Sequence, residues 1–187
     1  MKFSCENTRY LSDLHKNISL NHNAHQEYFL FMEKLDKSDK NILSVLQNQG
    51  RITNQELAEK VNLSAAACWR RLEKIENSQL IHQYVALVDR EQIGLSVMVY
   101  VHIRLNDHHS DTVDEFDHFV ERSGNILECY SVSGEYDYLV KIVAKNVHDL
   151  EFFLMKKLLA NKSVGSANTN VVLKQKKYTT ALPLGEV

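Results

Sequence analysis

Residues 53–76, TNQELAEKVNLSAAACWRRLEKIE, predict two short helices joined by a tight turn. Thr53 can cap the first helix, because Glu56 follows three residues later and can bond back to the Thr53 amide in a capping box. Asn62 falls where the chain must bend, and asparagine tolerates the left-handed conformation that ends a helix. Ser64 is a cap candidate for the second helix. Two short helices with this spacing are typical of a helix-turn-helix.

The second helix has an outward face that suits DNA. Counting 100° per residue from its apolar inner face, Arg70 and Lys74 point outward, where they can reach guanine edges or phosphates. Small alanines at the start of the helix allow close approach to base edges and contact with thymine methyls. An ordinary amphipathic helix with a solvated charged face explains the spacing equally well. The predicted DNA-contacting residues are Ser64, Ala65, Ala66, Ala67, Trp69, Arg70, Arg71 and Lys74, with Trp69 at the domain edge.

A third helix is predicted ahead of this pair, over residues 36–49, with Gly50 directly after its end. Its inward positions are Ile42, Leu43 and Leu46. The three helices make residues 35–82 a compact unit of DNA-binding size. Residues 1–34 are polar and rich in histidine and asparagine, so we expect a flexible, loosely held extension. Whether residues 1–31 belong to the functional protein stays open.

The second half of the chain has a different pattern. Residues 83–96 predict a short strand and a linker, and residues 97–105 alternate cleanly as a half-buried strand does. Further elements follow in the order helix 111–122, strand 126–133, strand 138–144, helix 147–159 and strand 166–175. The order β-α-β, β-α-β predicts a ferredoxin-like βαββαβ domain over residues 97–187, with both helices on one sheet face.

The fold class is therefore α+β, with a winged-type helix-turn-helix domain before the ferredoxin-like domain. The sheet face without helices carries some combination of Tyr100, Tyr130 and Tyr138, depending on the register. Another chain usually covers such a face, so we expect a homodimer.

The composition narrows the function further. The 187 residues carry 44% hydrophobic and 25% charged side chains, which is ordinary for a soluble globular protein. The net charge of −2 argues against a non-specific nucleic-acid binder, which would be basic. Three widely spaced cysteines argue against a disulfide framework. No stretch predicts a membrane span or a signal peptide, so we expect a cytoplasmic protein.

Several stretches together resemble the Lrp/AsnC, or feast/famine, family of transcriptional regulators, over about residues 35–184. They are LDKSDKNILSVLQNQGRIT at 35–53, ELAEKVNLS at 56–64, CWRRLEKIE at 68–76, SVSGEYDYLVKI at 131–142 and KYTTALPL at 177–184. The family often has glycine where this chain has Asn62, and proline near the start of the recognition helix, where Ala65 and Ala67 stand here. The resemblance implies sequence-specific binding to double-stranded DNA by dimers that can assemble further to tetramers or octamers.

The resemblance also implies that a free amino acid binds between subunits near the Gly-x-Tyr-Asp turn, and that no other cofactor is needed. The implied effector-binding residues are Ser133, Gly134, Tyr136, Asp137 and Tyr138. Physically, Asp137 can pair with an α-ammonium group, and backbone amides around Gly134 can hold an α-carboxylate. The alternative is a plain hairpin in which Gly134 adopts a positive φ and Asp137 caps its own turn.

The sequence disfavours three other functions to different degrees. A metal sensor is disfavoured because the nine histidines form no spaced ligand pair, and His108–His109 lies in a polar loop. An enzyme is disfavoured because the chain has no phosphate loop and no nucleophile elbow. An amino-acid-binding module that regulates a protein partner instead of DNA remains the alternative, and the helix-turn-helix speaks against it.

Overall fold

The computed structural model describes residues 35–184, which divide into two compact units. Among the described residues, the first unit contains 35–86 together with the tail, 178–184, and the second contains Leu87–Lys177. The predicted extension, residues 1–34, lies outside the described residues. The tail was predicted to belong with residues 97–187, but its described part, 178–184, groups with the first unit instead.

The first unit is a bundle of three helices: α1 (Lys37–Asn48), α2 (Asn54–Lys60) and α3 (Ala65–Asn77). Their apolar sides share one small core, and the predicted inward side chains are in it. The buried members are Ile42, Leu43, Leu46, Leu57, Ala58, Val61, Cys68 and Ile75. Core packing of this kind supplies most of the stability of short helices, which are marginal alone.

Local capping fixes where these helices begin and end. The capping box of Thr53 and Glu56 is confirmed, as is the Ser64 cap on α3. Asn62 has φ +55°, so the predicted left-handed bend between α2 and α3 is also confirmed. Asparagine therefore fills the position at which glycine is common, with no loss of the turn.

The second unit is a four-stranded antiparallel sheet with two helices. Its elements are β1 (Val97–Leu105), α4 (Ser110–Arg122), β2 (Ile126–Ser131), β3 (Tyr138–Ala144), α5 (Val147–Phe153), which continues as a π-helical turn over Leu154–Leu158, and β4 (Val164–Val171). The strand order is β2-β3-β1-β4. This order and the element sequence confirm the predicted ferredoxin-like fold.

The strand register decides which side chains face the core. Val99, Val101 and Ile103 of β1 are fully buried with Phe116 of α4. Tyr138 pairs with Ile103 and its ring lies 4.6 Å from the ring of Phe116, so it faces the helices. Tyr100, opposite Lys141, and Tyr130, opposite Leu139, lie on the other face.

The prediction for residues 83–89 was wrong, because this segment forms no strand in the structure. β-branched and aromatic residues favour a strand, but a strand also needs a partner to receive its backbone hydrogen bonds. The last strand also starts earlier and ends earlier than predicted, at Val164 and Val171. Within residues 35–184, no helix is long and apolar enough to cross a membrane.

Candidate functional site

The exposed face of α3 is the first candidate site. Ser64, Ala65, Ala66, Arg70 and Lys74 are exposed, and Ala67 is half-buried. Trp69 is 55% exposed, at the edge of the bundle. The Ser64 hydroxyl accepts a hydrogen bond from the Ala67 amide at 3.3 Å, which fixes the first turn of α3.

The two adjacent arginines of α3 have different surroundings. Within residues 35–184, neither the Arg70 side chain nor the Lys74 side chain takes part in a hydrogen bond or an ion pair. Arg71 is held by Asp36 at 2.6 Å and by Asp39 at 2.7 Å. The structure therefore distinguishes residues that the sequence pattern grouped together. Among the described residues, Arg70 and Lys74 have no side-chain partner, whereas Arg71 is paired with two carboxylates.

A contact between α2 and α3 was not foreseen from the sequence. The Asn54 side-chain amide donates to the Ala65 carbonyl at 3.0 Å. The Asn54 side-chain oxygen is buried and lacks a hydrogen-bond partner among the described residues. The contact ties the first turn of α2 to the first turn of α3. The two partners are eleven positions apart in the chain, so no local pattern signals the contact.

The turn between β2 and β3 is the second candidate site. Gly134 has φ +126°, a conformation that L-residues rarely adopt, which explains glycine there. Residues 133–136 donate no backbone hydrogen bond to any other described residue. The turn is closed by the Val132 amide, which donates to the Asp137 carbonyl at 2.9 Å. Residues 133–135 of this turn are exposed, and Tyr136 is half-buried.

The plain-hairpin alternative requires Asp137 to cap its own turn, but the Asp137 side chain bonds to other segments instead. Its carboxylate accepts a hydrogen bond from the Leu105 amide at 2.8 Å and lies 2.9 Å from the His108 ring nitrogen Nε2. The hydrogen bond with His108, followed by the bond from Leu105, lowers the pKa of Asp137 below its usual value. Asp137 therefore anchors the turn to the end of β1 and the loop after it.

Tyr136 lies beside this anchor on the face of the sheet that carries no helices. Its ring centre is 5.2 Å from the His102 ring and 5.7 Å from the Arg104 guanidinium carbon. Arg104 also donates to the Glu135 carbonyl at 2.7 Å. Ser133 is exposed, while Tyr138 packs into the core. Of the five predicted effector residues, Tyr138 is thus separated from the others by the sheet.

Family models match both units of the chain. The family described as winged helix-turn-helix DNA-binding matches residues 35–82, and the family described as Lrp/AsnC ligand binding domain matches residues 98–182. The glutamate uptake regulatory protein of Zymomonas mobilis is 36% identical over 155 residues, which cover 83% of this chain and 94% of that protein. The chain belongs to the Lrp/AsnC family. It is a DNA-binding transcriptional regulator that carries a ligand-binding domain.

Other Lrp/AsnC proteins align over nearly their full length. The leucine-responsive regulatory protein of Escherichia coli K12 is 35% identical over 79% of this chain and 90% of its own length. A transcriptional regulator from Neisseria meningitidis, solved as a complex with L-Met, superposes with a TM-score of 0.79 and 36% identity. That likeness covers 81% of this chain and 97% of the Neisseria chain.

Proposed function

We propose that this regulator reads DNA with the exposed face of α3, and that a free amino acid bound at the β2–β3 turn changes its DNA binding or assembly. The observation that carries the DNA part is the pair of cations Arg70 and Lys74, on the exposed face of a capped helix, whose side chains have no partner among the described residues. Both can reach base edges or phosphates, while the exposed alanines leave room for the groove wall. Ser64 and Trp69 border this contact surface.

The protein acts as a homodimer in this proposal. Its interface is the helix-free sheet face, which carries Tyr100, Tyr130 and Leu139 together with the ion pair of Lys141 and Glu128 at 2.8 Å. A dimer would place two recognition helices in successive major grooves, about 34–36 Å apart. Further assembly to tetramers or octamers would extend the contact along the duplex.

The amino-acid ligand is supported by two kinds of group at the turn. The free amides of residues 133–136 suit an α-carboxylate, because backbone N–H groups in a turn form an anion-binding concavity. The Asp137 carboxylate suits an α-ammonium group, which would take the place of the His108 ring. The relatives support the same class of ligand, since one is named leucine-responsive and another was solved with L-Met.

Replacing Arg70 by alanine tests the DNA part. We expect the variant to lose about 1–3 kcal/mol of specific binding to the tightest duplex selected from a random library. The slope of log K against log salt should also become shallower by about 1, if Arg70 contacts a phosphate. Lys156→Ala is the matched control, since it removes one exposed positive charge from the second unit. Equal affinities for the two variants would contradict the proposal.

Calorimetric titration with each of the twenty amino acids tests the ligand part. At least one should bind the parent protein, and Asp137→Asn should weaken that amino acid markedly. His108→Ala should bind it at least as well as the parent, because the ring no longer competes for the carboxylate. A variant Asp137→Asn that keeps full affinity would rule out this placement of the ammonium group.

A further inference from the structure

Arg71 joins α3 to the first turn of α1. A single guanidinium nitrogen, Nη1, lies 2.6 Å from Oδ2 of Asp36 and 2.7 Å from Oδ1 of Asp39. The Asp39 side chain is only 6% exposed, whereas the Arg71 side chain is 33% exposed. The contact is therefore partly desolvated, unlike an ordinary surface ion pair.

The same two carboxylates also cap α1. Oδ1 of Asp36 accepts a hydrogen bond from the Asp39 amide at 2.9 Å, and Oδ2 of Asp39 accepts one from the Asp36 amide at 3.3 Å. Each carboxylate thus uses one oxygen for the cap and the other for Arg71. The amide of Asp39, followed by Arg71, lowers the pKa of Asp36, so this carboxyl stays charged at neutral pH.

The contact of Arg71 with Asp36 and Asp39 fixes the position of α3 along α1, which the apolar core alone does not. Cys68 and Ile75 attach α3 to the bundle through contacts that have no preferred direction, so they permit small rotations and shifts of the helix. A charge-assisted contact to two oxygens on a capped turn has a defined direction and length. It therefore restricts where α3 lies along α1.

We propose that Arg71 is a positioning residue for DNA binding: with Asp36 and Asp39 it fixes α3 against α1 so that Arg70 and Lys74 meet the duplex correctly. This inference rests on the proposed role of α3 as the recognition helix. It removes Arg71 from the predicted set of DNA contacts, because two carboxylates already neutralise its charge. The clamp, meaning Arg71, Asp36 and Asp39, then acts on DNA only through the placement of α3.

The test combines thermal melting with DNA binding for Arg71→Ala, Arg71→Lys, Asp39→Asn and the double variant, with Arg70→Ala as the neighbouring control. Arg71→Ala and Asp39→Asn should each lower the Tm by roughly 5–15 °C, and the double variant should lower it by less than the sum. At a temperature where all variants are folded, both single variants should raise the Kd for the selected duplex roughly tenfold, the cost of about one lost base contact.

Two further readouts separate positioning from direct contact. Nη1 alone bonds to both carboxylates, so the single ammonium group of a lysine can replace it. Arg71→Lys should therefore have a Tm and a DNA affinity close to those of the parent protein. The salt slope should stay at the parent value for Arg71→Ala. If Arg71 touched DNA, Asp39→Asn would free its charge and tighten binding, and Arg71→Ala would flatten the salt slope by about 1 at an unchanged Tm. Either result, or strictly additive Tm changes in the double variant, would overturn the proposal. Failure of the parent protein to select any duplex would reject the proposed function alone, since the Tm coupling is measured without DNA.

Discussion

Single residues show most directly what the sequence can predict and what it cannot. The caps at Thr53 and Ser64 and the bend at Asn62 were predictable, because each depends on neighbours within three or four residues. The partners of Arg71 lie 32 and 35 positions away, so the spacing of α3 alone made Arg71 look like one more outward cation. Long-range polar contacts leave no periodic signal in the chain.

The carboxylate of Asp137 gives a pH-dependent prediction at the same scale. Because its pKa is lowered in the folded protein, its stabilising effect is complete above the ordinary value near 3.8 and is lost as the pH falls through the lower folded value. Asp137→Asn should cost about 1–2 kcal/mol of unfolding free energy at neutral pH, through weakened bonds to Leu105 and His108.

Urea unfolding of the parent and of Asp137→Asn from pH 7 to pH 3 measures this effect. The difference between the two proteins should be constant down to about pH 5 and shrink below pH 4. Glu135→Gln is the control, because it removes a neighbouring carboxylate that contributes little to stability. The Glu135 side chain is 73% exposed, and its carboxylate comes no nearer than 3.5 Å to Arg104. A difference that grows as the pH falls would contradict the role given to Asp137.

At the scale of elements, the presence and order of the helices and strands after residue 35 were predictable, except for the strand expected at 83–89. The bounds of the last strand were not predictable from its sequence. β1 has the predicted bounds, because clean alternation over nine residues is a strong signal. β3 also has the predicted bounds. The segment 83–89 has strand-like composition without a strand, and Tyr84 instead bonds to Glu76 of α3 at 2.9 Å. Burial, followed by this bond, raises the pKa of Tyr84 to about 12. A strand and a loop residue held by a side-chain hydrogen bond can therefore share one composition.

The tail, residues 178–184, was predicted to belong to the second unit but belongs to the first. Gln47 of α1 makes two hydrogen bonds with the backbone of Leu182, and Leu184 packs against the core of the three helices. The tail thus contributes to the stability of the DNA-binding unit. Leu184→Ala should therefore lower the unfolding free energy of this unit by about 1 kcal/mol, through lost apolar contact.

Leu182→Ala is the matched control for the tail. Its side chain is 71% exposed and only its backbone bonds to Gln47, so the substitution should change the stability by less than about 0.5 kcal/mol. Hydrogen exchange of the α1 amides, measured for both variants, reports the stability of the three-helix unit directly. Faster exchange in Leu182→Ala than in Leu184→Ala would contradict the packing described for the tail.

At the scale of the whole molecule, one chain combines a DNA-binding unit with a ligand-binding unit. The chain leaves the first unit after Ala86 and returns to it at Tyr178, so both ends of the second unit are covalently connected to the DNA-binding unit. The fold class and the two-part organisation were predictable, because each unit has its own pattern of hydrophobic residues. The ligand's identity was not, since the backbone amides of the proposed site at Gly134 would suit the α-carboxylate of any amino acid.

A titration of the selected duplex with the parent protein, repeated in the presence of each amino acid at fixed salt, tests the central claim most directly. The account predicts specific binding in the absence of ligand and, for at least one amino acid, a shift of about 5-fold to 150-fold in affinity or a change in the number of bound protomers. Binding curves that superimpose for all twenty amino acids, or a protein that binds every duplex equally weakly, would contradict it.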